Sequence, residues 1–138
     1  MNVNAVGPRI GCGAAVFEDG KILLVRRRRA PEAGCWGLPG GKVEPFEPVA
    51  EATAREIREE LGIIIEPVDL LCVVDQIDRV GGEHWIAPVF RIDRYEGTPT
   101  IREPGALSDL GWFDLNHLPK TLTEATKQAL VAIKREAG

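Results

Sequence analysis

The sequence predicts an α/β layered domain with helices flanking a mixed β-sheet. Three observations lead there. Two stretches repeat apolar residues at helical spacing, residues 47–61 and 123–136. Several β-rich runs surround them without strict strand-helix-strand alternation, which argues for mixed rather than wholly parallel pairing. Finally, 44% apolar residues in 138 supply one core of ordinary size, so the length fits a single domain, taken as residues 1–138.

The elements follow in chain order. Residues 1–8 (MNVNAVGP) predict a loose arm. From Arg9, the run RIGCGAAVFEDGKILLVRRRR reads as two strands around Asp19-Gly20, a favoured hairpin pair. Gly11 and Gly13 leave the first strand thin, and no third glycine follows to make a dinucleotide-binding fingerprint. APEAGCWGLPGG, residues 30–41, must be loop or turn. Glu47 to Leu61 predicts the first helix: Ala50, Ala54, Ile57 and Leu61 fall within about 60° of one another at ~100° per residue. Gly62 supplies the stop. GIIIEPVDLLCVVDQIDR reads as extended segments broken by Pro67, and HWIAPVFRIDRY as a strand with Pro88 at an edge or a bulge. LGWFDL is a further strand. TEATKQALVAIKRE is the second helix, with Ala125, Ala129 or Leu130, and Ile133 on its apolar side.

Composition removes several function classes. No apolar run approaches the ~20 residues that cross a bilayer, and no basic region followed by an apolar stretch opens the chain. Cys12, Cys35 and Cys72 are an odd number without a CxxC pair, which predicts reduced thiols and a cytoplasmic location rather than a disulfide frame or thiolate metal site. The net charge of −4 opposes stable nucleic-acid binding. Of that charge, −3 resides in residues 41–63, where six glutamates face three basic residues.

That segment, GKVEPFEPVAEATAREIREELGI, concentrates the chemistry. Glu56, Glu59 and Glu60 stand at i, i+3 and i+4, spanning roughly 100° of the helix, so their carboxylates can converge beside it. Like charges at these spacings cost a few tenths of a kcal/mol each, and acids in a last turn oppose the helix dipole by a further ~0.3–1 kcal/mol. Arg55 and Arg58 offset part of this. A hard divalent cation would convert the repulsion into coordination. Carboxylates without His or Cys favour Mg²⁺, with Mn²⁺ as the other choice, over zinc. Gly40-Gly41 just before the helix would let the backbone approach a ligand and add a carbonyl oxygen.

The segment resembles the Nudix (MutT-like) hydrolase box. Gly41, five residues, Glu47, seven residues, Arg55-Glu56, Ile57, one residue, Glu59-Glu60, one residue, Gly62 and Ile63 match it at every fixed position. WGLPGG before it and GWFDLNHLP after it are similar to what such domains carry there, so the resemblance extends from about Arg9 to the last helix. It implies the Nudix fold, an α/β/α sandwich with a mixed central sheet. It also implies a Mg²⁺-dependent pyrophosphohydrolase acting on a nucleoside diphosphate linked to another group. By motif position, Glu56, Glu59 and Glu60 would be metal ligands, with the Gly41 carbonyl and Glu47 contributing, and Arg55 would hold a box carboxylate in place. The family often takes a base or extra ligand from the loop before the last strand, here Glu103, and one box glutamate, Glu59 or Glu60, could instead fill the catalytic role.

Phosphate contacts require cations, and Arg26 to Arg29 form the one basic run. On a strand Arg27 and Arg29 would share a face opposite Arg26 and Arg28. Similarity to triphosphate-cleaving relatives points to Arg27. Trp36 and Trp112 are expected in packing, with base stacking as the alternative, and His84 and His117 lack metal-ligand spacing. The expected substrate is a (deoxy)nucleoside triphosphate, cleaved to monophosphate and pyrophosphate. The alternatives are ADP-ribose or a dinucleoside polyphosphate, or a catalytically silent nucleotide sensor. The expected partners are a small nucleotide and, as a possibility, a second copy of the chain.

Overall fold

The computed structural model describes residues 7–137; the predicted loose arm falls mostly outside the described residues. Seven strands and two helices follow in the order β1 (Arg9–Glu18), β2 (Lys21–Arg27), β3 (Trp36–Gly37), β4 (Gly40–Lys42), α1 (Val49–Leu61), β5 (Asp69–Asp78), β6 (Glu83–Ile92), β7 (Leu107–Asp114) and α2 (Glu124–Ala137). The strands lie in the order β3-β2-β1-β6-β5, with β4 also pairing β1 and β7 pairing β2. β1 runs parallel to β6, and its pairings with β2 and β4 are antiparallel, so the sheet is mixed as predicted.

Alternation along the strands builds the layers. Ala14 and Val16 of β1, with Leu23 and Val25 of β2, face the cluster containing Ile57 and Leu61 of α1. Their neighbours Ala15, Phe17, Ile22 and Leu24 face the opposite cluster, with Ile133 of α2. Both faces are covered, which explains why the predicted strands read as nearly continuous apolar runs. The hairpin turn takes positive φ at both central residues, 52° at Asp19 and 77° at Gly20, the geometry that matches strand twist.

Four expectations are corrected. Residues 30–41, expected to be loop or turn, contain β3 and the start of β4, because pairing with β2 and β1 draws Trp36–Gly37 and Gly40–Gly41 into the sheet despite their glycines. The first helix begins at Val49, not Glu47, with Pro48 at the N-cap (φ −60°, ψ 144°). A residue preceding proline is pushed out of the α region, so Glu47 cannot join the helix. The buried face of the helix is also shifted: Ile57 and Leu61 are buried as expected, joined by Ala52, Thr53 and Glu60, whereas Ala50 and Ala54 are only half-buried at its margin. Lastly, Pro88 is in an interior strand. The β1–β6 ladder accommodates it by passing from Ile10↔Ile86 to Gly13↔Val89, and the neighbouring irregularity is on β5, between Leu70 and Cys72. A proline has no N–H to lend a ladder, so an interrupted rung suffices. β5, an edge strand next to β6, is partly closed by α2, because the Gln128 amide bonds both the N–H and the carbonyl of Asp75. At the other end of α1, Gly62 has φ 72° and donates to the Arg58 carbonyl, as the stop signal predicts.

Candidate active site

The site forms where α1 lies on β4. Each glycine of β4 is there because a side chain would not fit: a Cβ on Gly40 would collide with the Cys12 carbonyl, and one on Gly41 with the Glu56 carboxylate. Glu60, only 8% exposed, accepts a hydrogen bond from the Gly40 N–H at 2.9 Å. Glu56 and Glu60 are therefore brought against adjacent residues of one short strand.

Burial dominates their electrostatics. It pushes the Glu60 carboxyl up to about 8, with Glu56 and Glu103 adding repulsion and the Gly40 N–H and Arg27 opposing. Burial also raises Glu56, against the pull of Arg55. Arg55 organises the rest. Its Nε and second terminal nitrogen grip Glu47 at 2.6 and 2.9 Å, and its other terminal nitrogen reaches Glu56 at 2.8 Å and Glu59 at 3.2 Å. The Lys42 carbonyl accepts from it as well, at 3.1 Å. This bidentate grip holds Glu47 down at about 2.

The convergence expected of the three box glutamates is only partly realised. Glu56 and Glu60 face β4, while Glu59 is 48% exposed and leans on Arg55. Glu47 is Arg55's partner in this arrangement, with both oxygens engaged. Among the described residues, no group of three or more His, Cys, Asp or Glu is gathered tightly enough to hold a metal ion in this conformation. The donor set nevertheless fits a hard divalent cation chemically. Glu56 and Glu60 are crowded carboxylates raised by burial, which a cation would relieve, and both lie against the glycines of β4.

A cavity of about 860 Å³ opens beside this cluster, reached by Glu60, Gly41, Lys42, Arg27 and Arg29. β2 ends at Arg27 with a register shift at Arg26/Arg27. Beyond it Arg28 turns away to the Pro104 carbonyl, and Arg26 pairs with Asp109, leaving Arg27 and Arg29 on the cavity. Glu103 is exposed on the loop before β7, close enough to Glu56 and Glu60 to raise both. Trp36 packs edge-on against Phe113 and Trp112 stacks on Tyr95, so both serve packing. His84 bonds Asp75 at 2.9 Å, outside the carboxylate cluster.

The floor of the cavity comes from residues that sequence reasoning did not assign. Gly11 and Gly13 of β1 leave it open, and Trp85 of β6 and Gln76 of β5 line its far end. The thinness of β1 was the visible signal. Trp85 and Gln76 had none, because they reach the site only through the pairing of β1 with β6 and of β6 with β5.

Residues 7–133 match the family model described as NUDIX domain. An ADP-ribose pyrophosphatase of Methanocaldococcus jannaschii is 40% identical over 113 residues, 82% of this chain and 66% of that protein. An 8-oxo-dGDP phosphatase of Mus musculus is 34% identical over 112 residues, 78% of this chain and 33% of that protein. The chain thus spans about two thirds and one third of these curated relatives. Among solved structures, a MutT NUDIX hydrolase from Burkholderia pseudomallei superimposes with a TM-score of 0.91 at 57% identity, covering 93% of this chain and 99% of that one.

Proposed function

Because this chain belongs to the NUDIX domain family, a family of pyrophosphate-bond hydrolases, we propose that it cleaves a nucleoside triphosphate to the monophosphate and pyrophosphate with the aid of Mg²⁺. The observation that carries the choice of substrate is the placement of Arg27, Arg29 and Lys42 on the cavity that Glu60 borders. Three cations beside one acidic centre suit a triphosphate better than the two phosphates of ADP-ribose.

Glu56, Glu59, Glu60 and the Gly41 carbonyl are the groups to hold the ion, with Arg55 and Glu47 fixing the carboxylates. When bound, a divalent ion neutralises phosphate charge and makes water more acidic. Arg27 and Arg29 orient the polyphosphate. In the reaction the oxygen of water bonds to a phosphorus, the bridging P–O bond breaks, and the leaving phosphate oxygen takes the electron pair. The proton released by water passes to a carboxylate, Glu103 or a box glutamate. The half-buried setting of the cluster strengthens each of these charge interactions relative to open water.

The second reading is hydrolysis of ADP-ribose, favoured by the name of the M. jannaschii relative. Ranking nucleoside triphosphates, 8-oxo-dGDP, ADP-ribose and dinucleoside polyphosphates by kcat/KM separates the two. A triphosphate at the head with pyrophosphate among the products is the expected result. ADP-ribose at the head, with triphosphates uncleaved, overturns it.

A further inference from the structure

We propose that Gln76 reads the substrate base by accepting a hydrogen bond from an exocyclic amino group, and that Glu32 is the positioning residue that sets the direction of the Gln76 amide. This rests on the nucleotide reading above and deepens it, naming amino-bearing bases, such as cytosine and adenine, over their keto counterparts.

The cavity is lined by Arg27, Arg29 and Lys42 as well as by Gln76, Asp78 and Glu83. Phosphates belong beside Glu60 and β4, where the ion would be held, so a nucleotide lying along the sheet brings its base toward Gln76. β4, β1, β6 and β5 lie side by side. Three spacings of about 4.8 Å plus two residues along the strands put Gln76 on the order of 15 Å from β4. That is the reach of an extended nucleoside triphosphate from its phosphates to the outer edge of its base. Directly across from Gln76 in the β5–β6 register is Trp85, which also lines the cavity. Gly11 of β1 leaves the space beside the indole open, an added Cβ there standing 3.6 Å away, while the Arg9 guanidinium lies over the ring at 5.6 Å from its centroid.

The direction of the amide follows from its partner. The Gln76 side-chain nitrogen lies 2.7 Å from one oxygen of Glu32, and the other oxygen accepts the N–H of Glu124, the first residue of α2, at 2.8 Å. An ionised carboxylate only accepts, so the amide NH₂ must face Glu32 and the Gln76 carbonyl must face elsewhere. Glu32 is itself fixed at both oxygens, between strand β5 and helix α2, on a backbone held at φ 62°. The base end of the cavity is thereby given an acceptor of set orientation. It matches N4 of cytosine or N6 of adenine and opposes O4 of uracil or O6 of hypoxanthine.

The test compares kcat/KM for CTP against UTP and for ATP against ITP, pairs that differ at the amino-to-keto position. The parent is expected to favour the amino member about tenfold, equivalent to about 1.4 kcal/mol. Gln76→Met, which keeps the bulk without the acceptor, should bring both ratios to near one. Glu32→Gln should reverse them: the new side chain keeps its oxygen on the Glu124 N–H and offers NH₂ to Gln76, turning the Gln76 NH₂ toward the base. A purely structural loss would lower all four substrates without inverting a ratio. Equal use of both members by the parent, or an amino preference surviving in Gln76→Met, overturns the role of Gln76. A preference lost in Gln76→Met but untouched in Glu32→Gln removes the role of Glu32. If the parent cleaves no triphosphate, calorimetric binding of the same four nucleotides decides. Amino-selective binding keeps the inference while the activity reading falls, and equal binding ends both.

Discussion

Replacing Glu60 by Gln should make the metal-free protein more stable while abolishing its Mg²⁺-dependent hydrolysis, and the gain should grow with pH. Glu60 is buried against β4, and its carboxyl is held up at about 8 from an ordinary value of 4.5. The folded state therefore keeps a proton that the unfolded chain releases. Such a group contributes its full stability below pH 4.5 and loses it as pH climbs toward about 8. At 1.36 kcal/mol for each pH decade crossed, the parent loses on the order of 3 kcal/mol by pH 7 and ~5 kcal/mol by pH 8. Gln does not titrate, and its side-chain oxygen can still accept from the Gly40 N–H. The assay is urea and thermal denaturation of both proteins in EDTA from pH 4.5 to 8.5. The difference should be near zero at the acid end and reach on the order of 10 °C in Tm at pH 7 for a domain of this size. Mg²⁺ at pH 8 should raise the Tm of the parent more than that of the variant, because only the parent presents the third carboxylate charge. A stability difference that does not change with pH would refute the assignment of Glu60 as the buried, proton-holding carboxyl. Undiminished turnover in the variant would refute its place among the metal-holding residues.

Other perturbations test the surrounding groups. Arg55→Ala releases Glu47, Glu56 and Glu59 together and should lower stability by ~2 kcal/mol at pH 7, read as a shift of the urea midpoint. Because Arg55 holds Glu47 at about 2, that part of the difference should be present above pH 4.5 and vanish as pH falls toward 2; a variant as stable as the parent at pH 7 would remove Arg55 as organiser. Arg27→Ala should raise KM for triphosphates about tenfold with a smaller change in kcat, and parental values of both would take Arg27 out of the phosphate site. Gly41→Ala puts a methyl group into the space of the Glu56 carboxylate. The expected result is ~1–3 kcal/mol of lost stability and weaker Mg²⁺ dependence of Tm, and an unaltered Mg²⁺ titration would contradict the cradle.

Much of this molecule is legible in its residue order because the signals are local. Asp19-Gly20, Gly62 and the helical spacing of 123–136 each act through neighbours in the chain, and the elements they predict are present with shifted ends. The late start of α1 was legible as well, in Pro48, whose effect on the residue before it outweighs the helical pattern that continues through Glu47. The box glutamates stand out for a similar reason. Their spacing breaks ordinary helix electrostatics within five residues of sequence, and that violation is visible without a fold.

What periodicity could not resolve is which neighbour faces what. Counting apolar residues put the core stripe of α1 on Ala50, Ala54, Ile57 and Leu61; Ile57 and Leu61 are buried as expected, while packing on β4 shifts the stripe to bury Thr53 and Glu60 ahead of Ala50 and Ala54. A carboxylate enters a buried face only where a strand offers it an N–H, and that offer comes from Gly40, twenty residues away. The sequence by itself determined the layered α/β class, the acidic box and the cations ahead of it, because each is a property of one continuous stretch. Tertiary structure alone decided that Glu60 is buried while Glu59 is half-exposed, that Arg27 and Arg29 turn into the cavity, and that Gln76 and Trp85 close its far end. Those outcomes depend on the parallel alignment of β1 with β6, whose partners stand 76 residues apart, as Arg9 with Trp85, and for which no local residue pattern is the cause; β5 follows as the hairpin partner of β6.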